Sequence, residues 1–242
     1  MEVKMKYNFF HRGNVSSIGK FVNRRFTRYF IGEILKHKKS GSVLEIGPGR
    51  GEAIDALNGY GFKCQWVDSD PSEHVKEKYR GKIARFPDQS PFIDERFDVI
   101  VASNVLEHMI SPLEACSFVD QCKTMLNDDG VLALCVPDYH DYGEKFFTVP
   151  DHGYPTTRMG IDTLLSEVGF KKLSNYHIYG GIKGMPGRVA WFPLRAMISL
   201  LWFVLPDDIR YLRAFEKADQ IYRGEYASIW RKDTVDEAEV EK

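Results

Sequence analysis

Apolar residues in this chain fall in short unbroken runs, separated by stretches with helical spacing. Val43-Leu44-Glu45-Ile46, Lys63 to Val67, Phe97 to Ala102 and Val131 to Val136 are such runs. Runs this short, with little polar alternation, predict strands covered on both faces. From Ile18 to Leu35 the apolar positions are Ile18, Phe21, Val22, Phe26, Tyr29, Phe30 and Ile34, which predicts a helix with one buried side. Ile161 to Phe170 predicts an amphipathic helix stopped by Gly169. Lys172 to Tyr179 and Tyr226 to Lys232 predict two further strands. Strands alternating with helices in this order predict an α/β fold around a largely parallel sheet.

The first run ends in Glu45-Ile46-Gly47-Pro48-Gly49-Arg50-Gly51, and Glu52 to Leu57 then begins a helix. A strand, a glycine turn and a helix N-terminus form a cradle that a ligand can approach closely. A dinucleotide fingerprint would need a glycine at position 52. Glu52 stands there instead, and its charge opposes a pyrophosphate, which disfavours an NAD-dependent oxidoreductase. Asp68 ends the second run, 17 residues beyond Gly51, where a carboxylate can accept two ribose hydroxyls.

The E-x-G-x-G-x-G pattern from Glu45 to Gly51 resembles the first motif of class I S-adenosylmethionine-dependent methyltransferases. Asp68, the run Phe97 to His108 and the strand Val131 to Pro137 follow in the order seen in the type 11 and type 12 small-molecule enzymes of that class. The likeness spans roughly residues 40 to 180. It implies a Rossmann-like seven-stranded sheet of order 3-2-1-4-5-7-6, with the last strand antiparallel, and S-adenosyl-L-methionine as cofactor. It further implies that Glu45, Gly47, Gly49 and Gly51 surround the methionine portion. Asp68 would hold the ribose, Ser69 and Asp88 would lie near the adenine, and Asn104 would line the methionine end. The acceptor would be a small molecule, methylated at oxygen in preference to nitrogen or carbon, and either amphipathic and lipid-like or a glycan. Tyr139 and Tyr142 are the candidate acceptor contacts. His152, His108 and His140 are the candidate bases, in that order. No metal is expected, because no H-x-x-x-H or comparable ligand spacing occurs. A methyltransferase-like domain that binds without turnover is the alternative, and the intact glycine loop and Asp68 weigh against it.

Charge and composition refine this picture. A net charge of −1 argues against a nucleic-acid partner. The first forty residues nevertheless hold ten Lys or Arg against Glu2 and Glu33, with Lys20, Arg24 and Arg28 on one helical face. Residues 1–39 are therefore expected to form a basic, amphipathic helical segment, whose cationic face either is simply solvated or meets an anionic surface. Residues 40–232 form the catalytic domain, and the acidic residues 233–242 are expected to be disordered. Cys64, Cys116, Cys122 and Cys135 form no C-x-x-C pair, and Cys64 and Cys135, in predicted buried strands, read as core thiols, consistent with a cytoplasmic protein. The N-terminus carries no apolar signal segment, so secretion is not expected.

Residues 181–222 separate two strands that such folds join by a short loop. Val189 to Leu205 is strongly apolar, interrupted by Pro193 and Arg195 and closed by Pro206. That is too short and broken for a transmembrane span. A helical lid over the acceptor pocket is the preferred reading. An interfacial membrane helix remains open, as does a dimer interface or plain core packing. Membrane contact could run through 189–205 or through the basic N-terminal helix. The oligomeric state is not legible.

Overall fold

The computed structural model describes residues 17–206 and 223–233. The acidic 234–242 stretch and the second half of the insertion, 207–222, lie outside the described residues, as do residues 1–16.

An eight-stranded sheet carries the fold, with order β3-β2-β1-β4-β5-β8-β6-β7. The strands are β1 (Ser42–Ile46), β2 (Lys63–Asp68), β3 (Arg80–Ile83), β4 (Phe97–Ser103), β5 (Leu126–Pro137), β6 (Phe170–Tyr179), β7 (Ile182–Lys183) and β8 (Gly224–Lys232). The first five are mutually parallel, and β8 runs antiparallel between β5 and β6. The expected seven-strand order is present. It gains one edge strand, β7, whose two residues pair antiparallel with Ile178 and Tyr179. Two residues carry no readable periodicity, which is why the pattern missed it.

The helices are α1 (Ser17–His37), α2 (Glu52–Gly59), α3 (Glu73–Lys78), α4 (Pro112–Met125), α5 (Tyr139–Tyr142), α6 (Arg158–Glu167) and α7 (Met185–Val204). Local signals set several of their starts. Ser111 accepts the Glu114 amide ahead of Pro112, and Thr157 accepts the Gly160 amide. Gly51 caps α2 in a left-handed conformation, φ 89°.

A separate core lies on each face of the sheet. On one, Phe30, Ile31 and Ile34 of α1 pack with Ile54, Leu57 and Val43, each almost fully buried. On the other, Phe118, Val119, Cys122 and Met125 of α4 pack with Phe97, Ile100 and Leu132. Each such side chain contributes about 1.5–3 kcal/mol by leaving water. Gly81 lets β3 pass under Trp66, since a Cβ there would lie 2.1 Å from the indole. Cys64 and Cys135 are buried, as the sequence suggested; Cys122 is buried with them and Cys116 is exposed. Burial pushes the Cys64 thiol up to about 12.

Candidate active site

The glycine loop leaves β1 at its carboxyl end. Gly47, Gly49 and Gly51 all hold positive φ, at 67°, 54° and 89°. A side chain on Gly49 would meet nothing within 4 Å, so the space above it is open for a ligand. A Cβ on Gly47 would come within 2.6 Å of Val105 Cγ2. The turn after β4 therefore leans directly on the glycine loop, and whatever that turn presents stands beside the cradle.

Glu45 lies beneath this loop, 3% exposed. The Ile54 backbone hydrogen-bonds its carboxylate, while Oε2 has no partner. Burial, with Glu52 nearby, raises its pKa well above the ordinary carboxylate range. A buried, half-satisfied carboxyl below an open glycine turn suits a ligand that brings its own donor, such as an ammonium. Asp68 is half-buried at the end of β2, and its Oδ1 accepts the Asp70 amide at 2.8 Å. Ser69 is exposed next to it. Asp88 stands on the exposed loop between β3 and β4, with its carboxylate engaged by Arg85. Arg85 also binds Glu114 at 2.6 Å.

Asn104 follows β4 with φ 55°, the one non-glycine residue in that region among the described residues. Its amide donates to Cys135 O at 2.8 Å, and its side chain reaches the Glu225 carboxylate. A non-glycine residue held there is strained, and such strain gathers at functional sites. The short turn Leu106–His108 comes next. Glu107 is 1% exposed, Oε2 has no partner, and burial raises its carboxyl to about 7. Glu225, half-buried on β8, is raised to about 7 by the same cause.

Two of the three candidate histidines meet here. The His108 and His152 rings lie edge to face, 5.0 Å apart. Asp151 turns to His108, with Oδ2 3.2 Å from Nδ1. Burial would lower the His108 pKa, but Asp151 and Glu107 together raise it. His152 Nδ1 lies 2.9 Å from Phe146 O. A carbonyl only accepts, so the neutral ring carries its proton on Nδ1 and leaves Nε2 as the basic nitrogen. The loop holding these residues is tied down, because Gly153 N and Tyr154 N both donate to Glu107 O.

His140 stands apart from this pair, exposed on α5. Tyr139 packs edge-on against Phe146 and Phe147. Tyr142 is half-buried beneath the Arg223 guanidinium, 5.5 Å from its ring. Burial holds the Tyr142 hydroxyl well above its usual pKa.

Sequence reasoning gave no role to Glu107, Glu225 or the Asp138–His177 pair. Asp138 and His177 are joined at 2.8 Å, and that bond, against the effect of burial, keeps Asp138 below the usual carboxylate range. Glu107 had a signal, since it is an acid between Leu106 and His108 in a largely apolar stretch. Glu225 and His177 had none, because only the pairing of β8 with β5 and β6 brings them in. Among the described residues two groups place ligating atoms within 4.8 Å of one another, Glu107–His108–His152 and Asp138–Asp141–His177, a span that a cation could bridge.

A largely parallel sheet with β8 antiparallel between β5 and β6, a glycine cradle after β1, an acid after β2 and a histidine–carboxylate cluster after β4 are the features of a Rossmann-like methyltransferase fold. The comparisons agree. The profile of a methyltransferase-domain family matches residues 18–175, and the chain belongs to that family. No curated protein matches it by sequence. Among solved structures it is similar to the cyclopropane synthase MmaA2 from Mycobacterium tuberculosis, with 16% identity, 92% of this chain and 88% of that one covered, and TM-score 0.62. It is also similar to the N-methyltransferase NodS from Bradyrhizobium japonicum WM9 in complex with S-adenosyl-L-homocysteine, with 15% identity, 87% of each chain covered and TM-score 0.59. A third is coclaurine N-methyltransferase bound to N-methylheliamine and S-adenosyl-L-homocysteine, with 12% identity, 90% of this chain and 72% of that one covered, and TM-score 0.58. The protein is an S-adenosylmethionine-dependent methyltransferase.

Proposed function

We propose that the protein O-methylates a small-molecule acceptor, an amphipathic lipid-like compound or a glycan, by in-line transfer. The observation that supports an oxygen acceptor is the His152–His108–Asp151–Glu107 cluster beside the cradle. A hydroxyl must lose its proton as it is methylated, and a poised base serves that need.

S-adenosylmethionine, when bound, supplies an activated methyl group. Glu45 and the glycine loop would hold its methionine end, and Asp68 would hold its ribose. His152 Nε2 accepts the acceptor's proton. Phe146 O fixes the ring through Nδ1. Asp151 pairs with His108 beside it and favours its charged form, which positions the loop. Tyr139 and Tyr142 wall the acceptor side, and much of the rate comes from alignment and exclusion of water.

The test has two parts. Calorimetry should show heat with S-adenosylmethionine and its demethylated product and none with NAD. His152→Ala should lower turnover by on the order of 100-fold with cofactor affinity nearly unchanged, the usual size of a general-base contribution. Turnover within a few-fold of the parent on a confirmed acceptor would remove His152 from that role.

A further inference from the structure

We infer that α7, with the basic half of α1, forms a docking face for an anionic lipid bilayer. Helix α7 is apolar on both sides, and among the described residues the fold packs only one. Trp191, Leu194 and Ile198 turn inward. Trp191 Nε1 donates to Tyr179 O at 3.0 Å, and Gly180 makes room for the indole, since a Cβ there would lie 2.4 Å from Nε1. Ile198 is 3% exposed.

The outer stripe is Met185, Val189, Phe192, Ala196, Leu200 and Val204, spaced by three or four residues throughout. Met185, Val189, Phe192, Leu200 and Val204 are each more than 60% exposed. A helix on an aqueous surface places polar residues there, and a continuous apolar stripe marks a contact. The helix is not a span: no described helix is long and apolar enough to cross a membrane. A helix of this kind lies flat in the interface, with its apolar face among the acyl chains.

Charge selects the partner. Helix α7 contains no acid, and Arg188 is exposed beside the stripe. Helix α1 contains one acid, Glu33, which is buried and bound to Lys36 and Lys183. Lys20, Arg24 and Arg28 are exposed, and none is in an ion pair among the described residues. With Arg50 they line a cavity of about 470 Å³ in which Glu52 is the one carboxylate. Phe21, 59% exposed, lies under the Arg25 guanidinium. The two helices are tied together: Arg25 Nε donates to Gly181 O at 2.8 Å, and Lys183 binds Glu33 at 3.0 Å. Cations and an apolar stripe are thus concentrated on linked elements of a protein whose net charge is only −1. Anionic headgroups complement both features. A second copy of this chain offers the same stripe but no exposed acid on either helix to meet these cations.

Vesicle sedimentation tests this with the whole protein. It should partition onto phosphatidylcholine vesicles containing about 30% phosphatidylglycerol at least ~10-fold better than onto phosphatidylcholine alone, and high salt should weaken the difference. Phe192→Glu with Leu200→Glu should reduce partitioning by on the order of 100-fold, with cofactor heat and oligomeric state unchanged. Phe192→Ser with Leu200→Ser supplies a milder pair should the glutamates disturb the helix. Lys20→Glu with Arg24→Glu and Arg28→Glu should remove the preference for anionic vesicles. The inference fails if the parent ignores anionic vesicles, or if both α7 pairs bind like the parent. It also fails if light scattering shows a dimer that the α7 substitutions dissociate, which would make the stripe a subunit interface.

Discussion

Glu45 has an oxygen buried beneath the glycine loop with nothing to bond, and Asp68 stands at the next strand end with one oxygen committed to its own turn. Both make sense when a ligand brings donors. Asp68→Ala should weaken S-adenosylmethionine binding by about 10- to 100-fold through loss of charge-assisted hydrogen bonds, read by calorimetry. An unchanged affinity would take the ribose from Asp68. Glu107 shows the cost of burying a carboxyl in the turn after β4. Burial raises its carboxyl to about 7, against about 4.3 for a glutamate in an unfolded chain. Below both values the side chain is neutral in either state. Between them the unfolded chain releases a proton that the fold retains, so stability falls as pH rises through that window. Glu107→Gln should therefore raise the melting temperature by roughly 5 °C near pH 8 and by much less near pH 5. Equal shifts at both pH values would show that the effect is packing rather than charge.

At the scale of elements, α7 is held by few inward contacts, chiefly Trp191 and Ile198. Trp191→Ala should accelerate amide exchange across 185–204 while β1, β4 and β5 keep their protection, measured by hydrogen exchange with mass detection. Uniform loss of protection would mean that α7 is integral to the core. The strands β1, β2, β4 and β5 were legible as short apolar runs because the sheet is covered on both faces, and the helices α1 and α6 because each buries one side and keeps a helical period. The two-residue β7, the turn Leu106–His108 and the four-residue α5 were not. Elements of two to four residues set no period, and neighbouring backbone places them. The insertion showed its apolar run but not its direction, and the structure turns Val189, Phe192 and Leu200 outward, so they do not line a closed pocket among the described residues.

For the whole molecule, the cofactor cradle is built on the carboxyl ends of β1, β2 and β4, while the insertion hangs from the β6–β7 edge. Replacing residues 182–220 by a short glycine-rich loop should leave a folded protein that binds S-adenosylmethionine within a few-fold of the parent and no longer associates with anionic vesicles. Loss of cofactor heat in a protein that still unfolds cooperatively would show that the insertion shapes the cradle. The sequence by itself determined the sheet's central strands, the glycine loop from Glu45 to Gly51 and Asp68, and hence the cofactor. Those features are local, because a buried strand, a turn needing positive φ and an acid at a strand end each leave a mark within about ten residues. Only the tertiary structure decided that Asp151 pairs with His108 and Phe146 O with His152, that Val105 seats the turn after β4 on Gly47, and that Glu225 joins Asn104. Those contacts join residues from a few to more than a hundred positions apart, and the direction each side chain takes depends on packing that no local pattern encodes.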